Sequence, residues 1–124
     1  MSVQRPEEIH AAFTTAFNAG DTAALMALYE TDASLAPAPG EVVTGTAAIR
    51  EALDGLLALK GKMTIDTVRV IAANDVALLH GSWILSGTDP DGNPVELAGR
   101  NTEVVRRQPN GSWRFIVDNP FGDA

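Results

Sequence analysis

The chain has 124 residues, no cysteine, 45% hydrophobic and 20% charged residues, the profile of one globular domain that can bury a core without disulfides. The missing cysteines exclude thiolate nucleophiles, cysteine-ligated zinc and iron–sulfur clusters. Sixteen acidic against nine basic residues give a net charge of −7, which repels a phosphate backbone or an anionic bilayer, so neither nucleic acid nor membrane is an expected partner.

The first residues carry no apolar run, so no signal peptide is read there. No apolar stretch reaches the ~20 residues that span a bilayer, and a cytoplasmic location is expected. Residues 6 to 19 read as a helix. Pro6 suits its first position, Glu7 and Glu8 suit the positive end of its dipole, and Ile9, Ala12, Phe13, Ala16 and Phe17 repeat as one apolar stripe. Asn18-Ala19-Gly20 is a stop, and Asp21 caps a shorter second helix with Leu25, Leu28 and Tyr29 on one side. Residues 33 to 36 suit a short strand, 37 to 40 (Pro-Ala-Pro-Gly) break any regular element, and Val42-Val43 suits a brief extended piece. A third helix starts near Thr46, with Ile49, Ala52, Leu53, Leu56 and Leu57 as its stripe, and Gly61 closes it.

Four strands follow, over residues 63–73, 76–88, 95–107 and 112–119, joined by turns at Asn74-Asp75, residues 89–93 and Gln108-Pro109-Asn110-Gly111. Residues 120–124 are expected to be a loose tail. Three N-terminal helices before a long antiparallel meander predict an α+β fold, with helices on one face of a curved sheet. Long strands in an open sheet twist and curl, so the helices and sheet are expected to form a cone with one open end.

The order of elements, with Phe17-Asn18-Ala19-Gly20-Asp21, Tyr29-Glu30-Thr31-Asp32-Ala33, Gly45-Thr46-Ala47-Ala48-Ile49-Arg50 and Asn110-Gly111-Ser112-Trp113-Arg114-Phe115, resembles the nuclear transport factor 2-like superfamily, in its SnoaL-like and ketosteroid isomerase-like branch. The resemblance covers residues 5 to 120 as a single domain and implies the fold, while the superfamily hosts many reactions. The isomerase uses a Tyr, a carboxylate base and a protonated acid. The resemblance aligns these with Phe13, Pro37 and Glu103, so one functional group of three is kept and the steroid isomerase mechanism is not expected.

Glu103 is the leading candidate. Facing the interior it is an acid, a base or a hydrogen-bond donor; the alternatives are a solvent-facing side chain or a partner for a nearby Arg. If Arg107 pairs with Ser112, then Asn101 lies opposite Asp118 and Glu103 opposite Ile116, and Asn101, Glu103 and Asp118 share a face. Arg100, Thr102, Val104, Trp113, Phe115 and Val117 share the other. That second face is the more apolar, so burial alone turns it toward the helices, whereas the resemblance turns the Glu103 face inward. A homodimer through the sheet would bury both, and a bulge at either hairpin would swap the assignment. His80 meets Glu103 in one hairpin register and points away in the other. Tyr29 is a polar handle at the mouth; Phe13, Phe17 and Trp83 are core or pocket wall. His10, near the start of the first helix, is assigned no role, and two distant histidines offer no metal-ligand spacing. The expected function is a pocket for a small, mostly apolar organic ligand. Any catalysis would be cofactor-independent acid–base work by Glu103 with Asn101 and Asp118, and Tyr29 and His80 as further partners. The alternative is a non-catalytic ligand-binding or dimeric assembly domain.

Overall fold

The computed structural model describes residues 3–122. A single 3-10 turn, Pro6–Glu8, leads into α1 (Ile9–Asn18); α2 (Thr22–Met26), β1 (Tyr29–Leu35), β2 (Val43–Thr44) and α3 (Thr46–Leu57) follow. The remainder is β3 (Lys62–Ala73), β4 (Val76–Thr88), β5 (Pro94–Arg107) and β6 (Trp113–Asn119). The Asp21 carboxylate caps α2 by accepting from the Ala24 N–H. The second helix is shorter than its apolar pattern suggests. Tyr29 leaves it to open β1, because the Phe115 N–H captures the Leu28 carbonyl and draws the chain into the sheet.

The strands form one six-stranded sheet in the order β2-β1-β6-β5-β4-β3. The meander β3 to β6 is antiparallel, as its hairpin turns require, and β1 adds in parallel to the far side of β6. The helices pack on one face: Ile9, Phe13 and Phe17 of α1 and Ile49 and Leu53 of α3 are buried against Leu79, Leu85, Val105 and Phe115 of the sheet.

The β5–β6 register decides what faces the helices. Val105 pairs with Phe115, but Val104 pairs with Val117, so Ile116 is an extra residue in β6. Before the bulge Trp113 and Phe115 point inward; after it Asp118 does, and Val117 is exposed. This corrects two expectations. Glu103 sits opposite Asp118, not Ile116, and Trp113 and Phe115 belong to the buried face, not to that of Arg100, Thr102 and Val104. One bulge lets a single strand bury its aromatic residues at one end and its carboxylate at the other.

The C-terminal segment is no loose tail through residue 122, and residues 123 and 124 lie outside the described residues. The Trp83 indole N–H donates to the Pro120 carbonyl at 2.6 Å, and the Phe121 ring stands edge-on to Trp83 at 5.6 Å. Gly99 makes room for this, since a Cβ there would lie 2.7 Å from the Pro120 oxygen. Of the arginines on the last strands, Arg106 pairs with Glu30 through two bonds of 2.6 and 2.8 Å, and Arg107 pairs with Asp75. No helix among the described residues is long and apolar enough to cross a membrane.

Candidate active site

Between α1, α3 and the inner face of the sheet lies a cavity of about 200 Å³. Its wall is apolar, with Phe13, Leu53, Met63, Trp83, Phe115 and Phe121 among the lining side chains. Four polar residues line it as well: His10, Asn101, Glu103 and Asp118. An apolar cavity with a few convergent polar groups is the usual form of a small-molecule site.

The four polar residues are buried, and hydrogen bonds join three of them, His10, Asn101 and Glu103. His10 reaches Glu103 Oε1 through Nε2 at 2.7 Å, and the Asn101 amide donates to Glu103 Oε2 at 2.7 Å, so both carboxyl oxygens are bonded. Asp118 is the strand partner of Glu103, and its Oδ2 accepts the Tyr29 hydroxyl at 2.5 Å. Asn101 Oδ1 is buried and unpartnered, because the amide must turn its nitrogen to the carboxylate.

Burial pushes the Asp118 carboxyl up to about 7, and the neighbouring Glu103 charge pushes the same way; the Tyr29 bond and His10 oppose them. Burial, followed by the Asp118 charge, raises the Tyr29 hydroxyl well above the usual phenol range, so it acts as a donor. The site therefore holds an acid that carries its proton near neutral pH, beside a second carboxyl whose two oxygens are held by His10 and Asn101.

The structure brings Asn101, Glu103 and Asp118 together on one face, and Phe13 and Trp83 onto the cavity wall. Three other candidates are placed differently. His80 pairs with Thr102, not Glu103, and contacts the Thr102 hydroxyl at 3.2 Å on the outer face, so it is not a site partner. Phe17 stacks behind Phe13 at 6.1 Å, in the core rather than on the wall. Tyr29 packs on Phe115 at 5.0 Å and stands behind Asp118, not at a mouth.

His10 was the residue missed. The N-terminal segment does not leave the helix start in water: Val3 is buried, and its carbonyl accepts the Trp113 N–H. The signal was present in the sequence. His10 lies seven positions before Phe17, about 20° from it around a helix, and so on the edge of the buried stripe. Among the described residues no group of three or more His, Asp or Glu side chains is arranged to hold a metal ion.

Comparison with known proteins agrees with the architecture. A family model described as the SnoaL-like domain matches residues 10–116. A ketosteroid isomerase-like protein from Erwinia carotovora atroseptica superposes with a TM-score of 0.79 at 23% identity, over 91% of this chain and 89% of that one. A candidate calcium/calmodulin-dependent protein kinase II association domain from Xanthomonas campestris gives 0.78 at 22% identity, over 95% and 86%. A candidate dehydratase of the nuclear transport factor 2-like family from Streptomyces avermitilis gives 0.71 at 22% identity, over 88% of each chain. These identities speak for the fold alone. No curated protein matches the sequence.

Proposed function

The chain belongs to the SnoaL-like domain family, and from that premise we propose that it performs acid–base chemistry on a small, mostly apolar, neutral organic molecule held in the cavity. The observation that carries this reading is the Glu103–Asp118 pair set side by side, with His10 and Asn101, in a mostly apolar wall. Asp118, protonated near neutral pH, gives a proton to a developing oxyanion or a departing hydroxyl. Glu103 takes a proton from carbon, and His10 and Asn101 fix its orientation. Tyr29 holds one Asp118 oxygen in place from behind. Isomerisation through an enol and dehydration beside a carbonyl both need this one acid and one base, and neither needs a cofactor.

The isomerase's own mechanism is a poor fit. Phe13 and Pro37 both line the cavity where the resemblance expects a hydroxyl donor and a carboxylate base, and neither can do that work. Those replacements favour a second reading, a non-catalytic binder of the same kind of ligand. The test is a screen of ketones, lactones and steroids with the wild type, Glu103→Gln and Asp118→Asn. Catalysis predicts turnover by the wild type that falls by about 10²–10⁴-fold in either variant. Binding that survives both substitutions, with turnover of no compound, supports the binder instead.

A further inference from the structure

His10 bonds outward as well as inward. Its Nε2 meets Glu103, and its Nδ1 meets the Thr67 hydroxyl at 2.6 Å. His10 and Glu103 are buried, whereas Thr67 is an exposed residue of the edge strand β3. The strand is irregular at this point: Thr67 pairs with Gly81 and Arg69 with His80, so Val68 is the bulged residue and is 72% exposed. The bulge keeps Thr67 on the inner side of the sheet and turns Arg69 to the face of His80. Gly81, opposite Thr67, has no side chain to crowd the site; a Cβ there would lie 3.1 Å from both amide atoms of Asn101.

We infer that Thr67 and His10 form a proton relay that connects the buried Glu103 carboxyl to solvent at the sheet edge, away from the cavity. The chemistry balances for one proton. A protonated Glu103 gives its proton to His10 Nε2. The Nδ1 proton of the same ring passes to Thr67 Oγ1, and the threonine releases its own hydroxyl proton to water. No heavy atom moves, because both neutral tautomers satisfy the same two hydrogen bonds with donor and acceptor exchanged. The reverse sequence delivers a proton to Glu103. A base that must be reset between turnovers gains from such a path, since a ligand filling the cavity would shut off water from that side. The inference rests on the acid–base reading of the cavity, but the relay itself can be measured in the ligand-free protein.

The experiment follows exchange of the His10 imidazole N–H with water by ¹⁵N-resolved saturation transfer in the wild type, Thr67→Val and Thr67→Ser. The relay predicts that Thr67→Val, which keeps the shape and removes the hydroxyl, slows exchange by about tenfold or more. Thr67→Ser, which restores the hydroxyl, brings exchange back to within about threefold of the wild type. Equal exchange in wild type and Thr67→Val overturns the relay, since protons then enter through the cavity. Equal slowing in Val and Ser also overturns it, since the effect is then one of packing. Either negative result leaves cavity turnover to be decided by its own screen.

Discussion

At the scale of single residues, the site is governed by what burial does to charge. Asp118 binds its proton more tightly in the folded chain, at about 7 against an ordinary 3.8, so the native state holds more protons than the unfolded state between those values. Its contribution to stability is therefore full below about 4 and is lost as pH rises toward 7. Asp118→Asn keeps an acceptor for Tyr29 and has no charge to bury. Denaturant melts from pH 4 to 8 should show a flatter stability profile for the variant, which gains on the wild type as pH rises. His10→Ala tests the other half of the cluster. It strips Glu103 of one of its two hydrogen-bond partners and should cost about 3 kcal/mol in a urea melt. Glu103→Gln should cost about 1 kcal/mol or less, because the Asn101 amide can turn its free Oδ1 toward the new donor.

At the scale of elements, the sequence carried the periodic parts well and the irregular ones poorly. The stripes of α1 and α3 and the alternation of the four long strands follow from side-chain period, and each was found close to its place. The parallel docking of β1 on β6 joins residues some 80 positions apart, such as Tyr29 and Phe115, and no local pattern encodes it. The Ile116 bulge escaped for a similar reason: it breaks the period-2 rule that strand reading relies on. The Glu103 face could be assigned only by resemblance, since Trp113 and Phe115 pulled the apolar argument the other way. The Pro120–Gly122 segment looked like a tail because its anchors are long-range: a carbonyl on Trp83, a ring on the same indole, and the space left by Gly99. Phe121→Ala should lower stability by about 1 kcal/mol through the lost edge contact, and should weaken ligand retention by opening the cavity wall. A thermal melt and a dissociation rate for any compound found in the screen would separate the two effects.

At the scale of the whole molecule, the helices cover one face of the sheet and leave the other bare. The row Ile71–Leu78–Val104–Val117 crosses four strands of that outer face, with Ile71 45% and Val117 41% exposed. A homodimer formed through this face would cover the row. Val104→Glu should then convert a dimer to a monomer in sedimentation velocity without changing the circular dichroism, since the side chain lies outside the core. A wild type that sediments as a monomer at tens of micromolar would count against the dimer. If two copies pair this way, the net charge of −7 on each means that their association should strengthen as salt rises, because screening weakens the repulsion between like charges.

The chemistry proposed for the cavity rests on two carboxyls in its wall, one of them holding its proton near neutral pH. It is tested most directly by ¹³C NMR titration of the Asp118 carboxyl in the wild type and in Glu103→Gln. The prediction is a midpoint near 7 in the wild type that moves down, while staying above 3.8, once the Glu103 charge is removed and burial is the one upward push left against Tyr29 and His10. A midpoint near 4 in the wild type, or no movement in the variant, would contradict it.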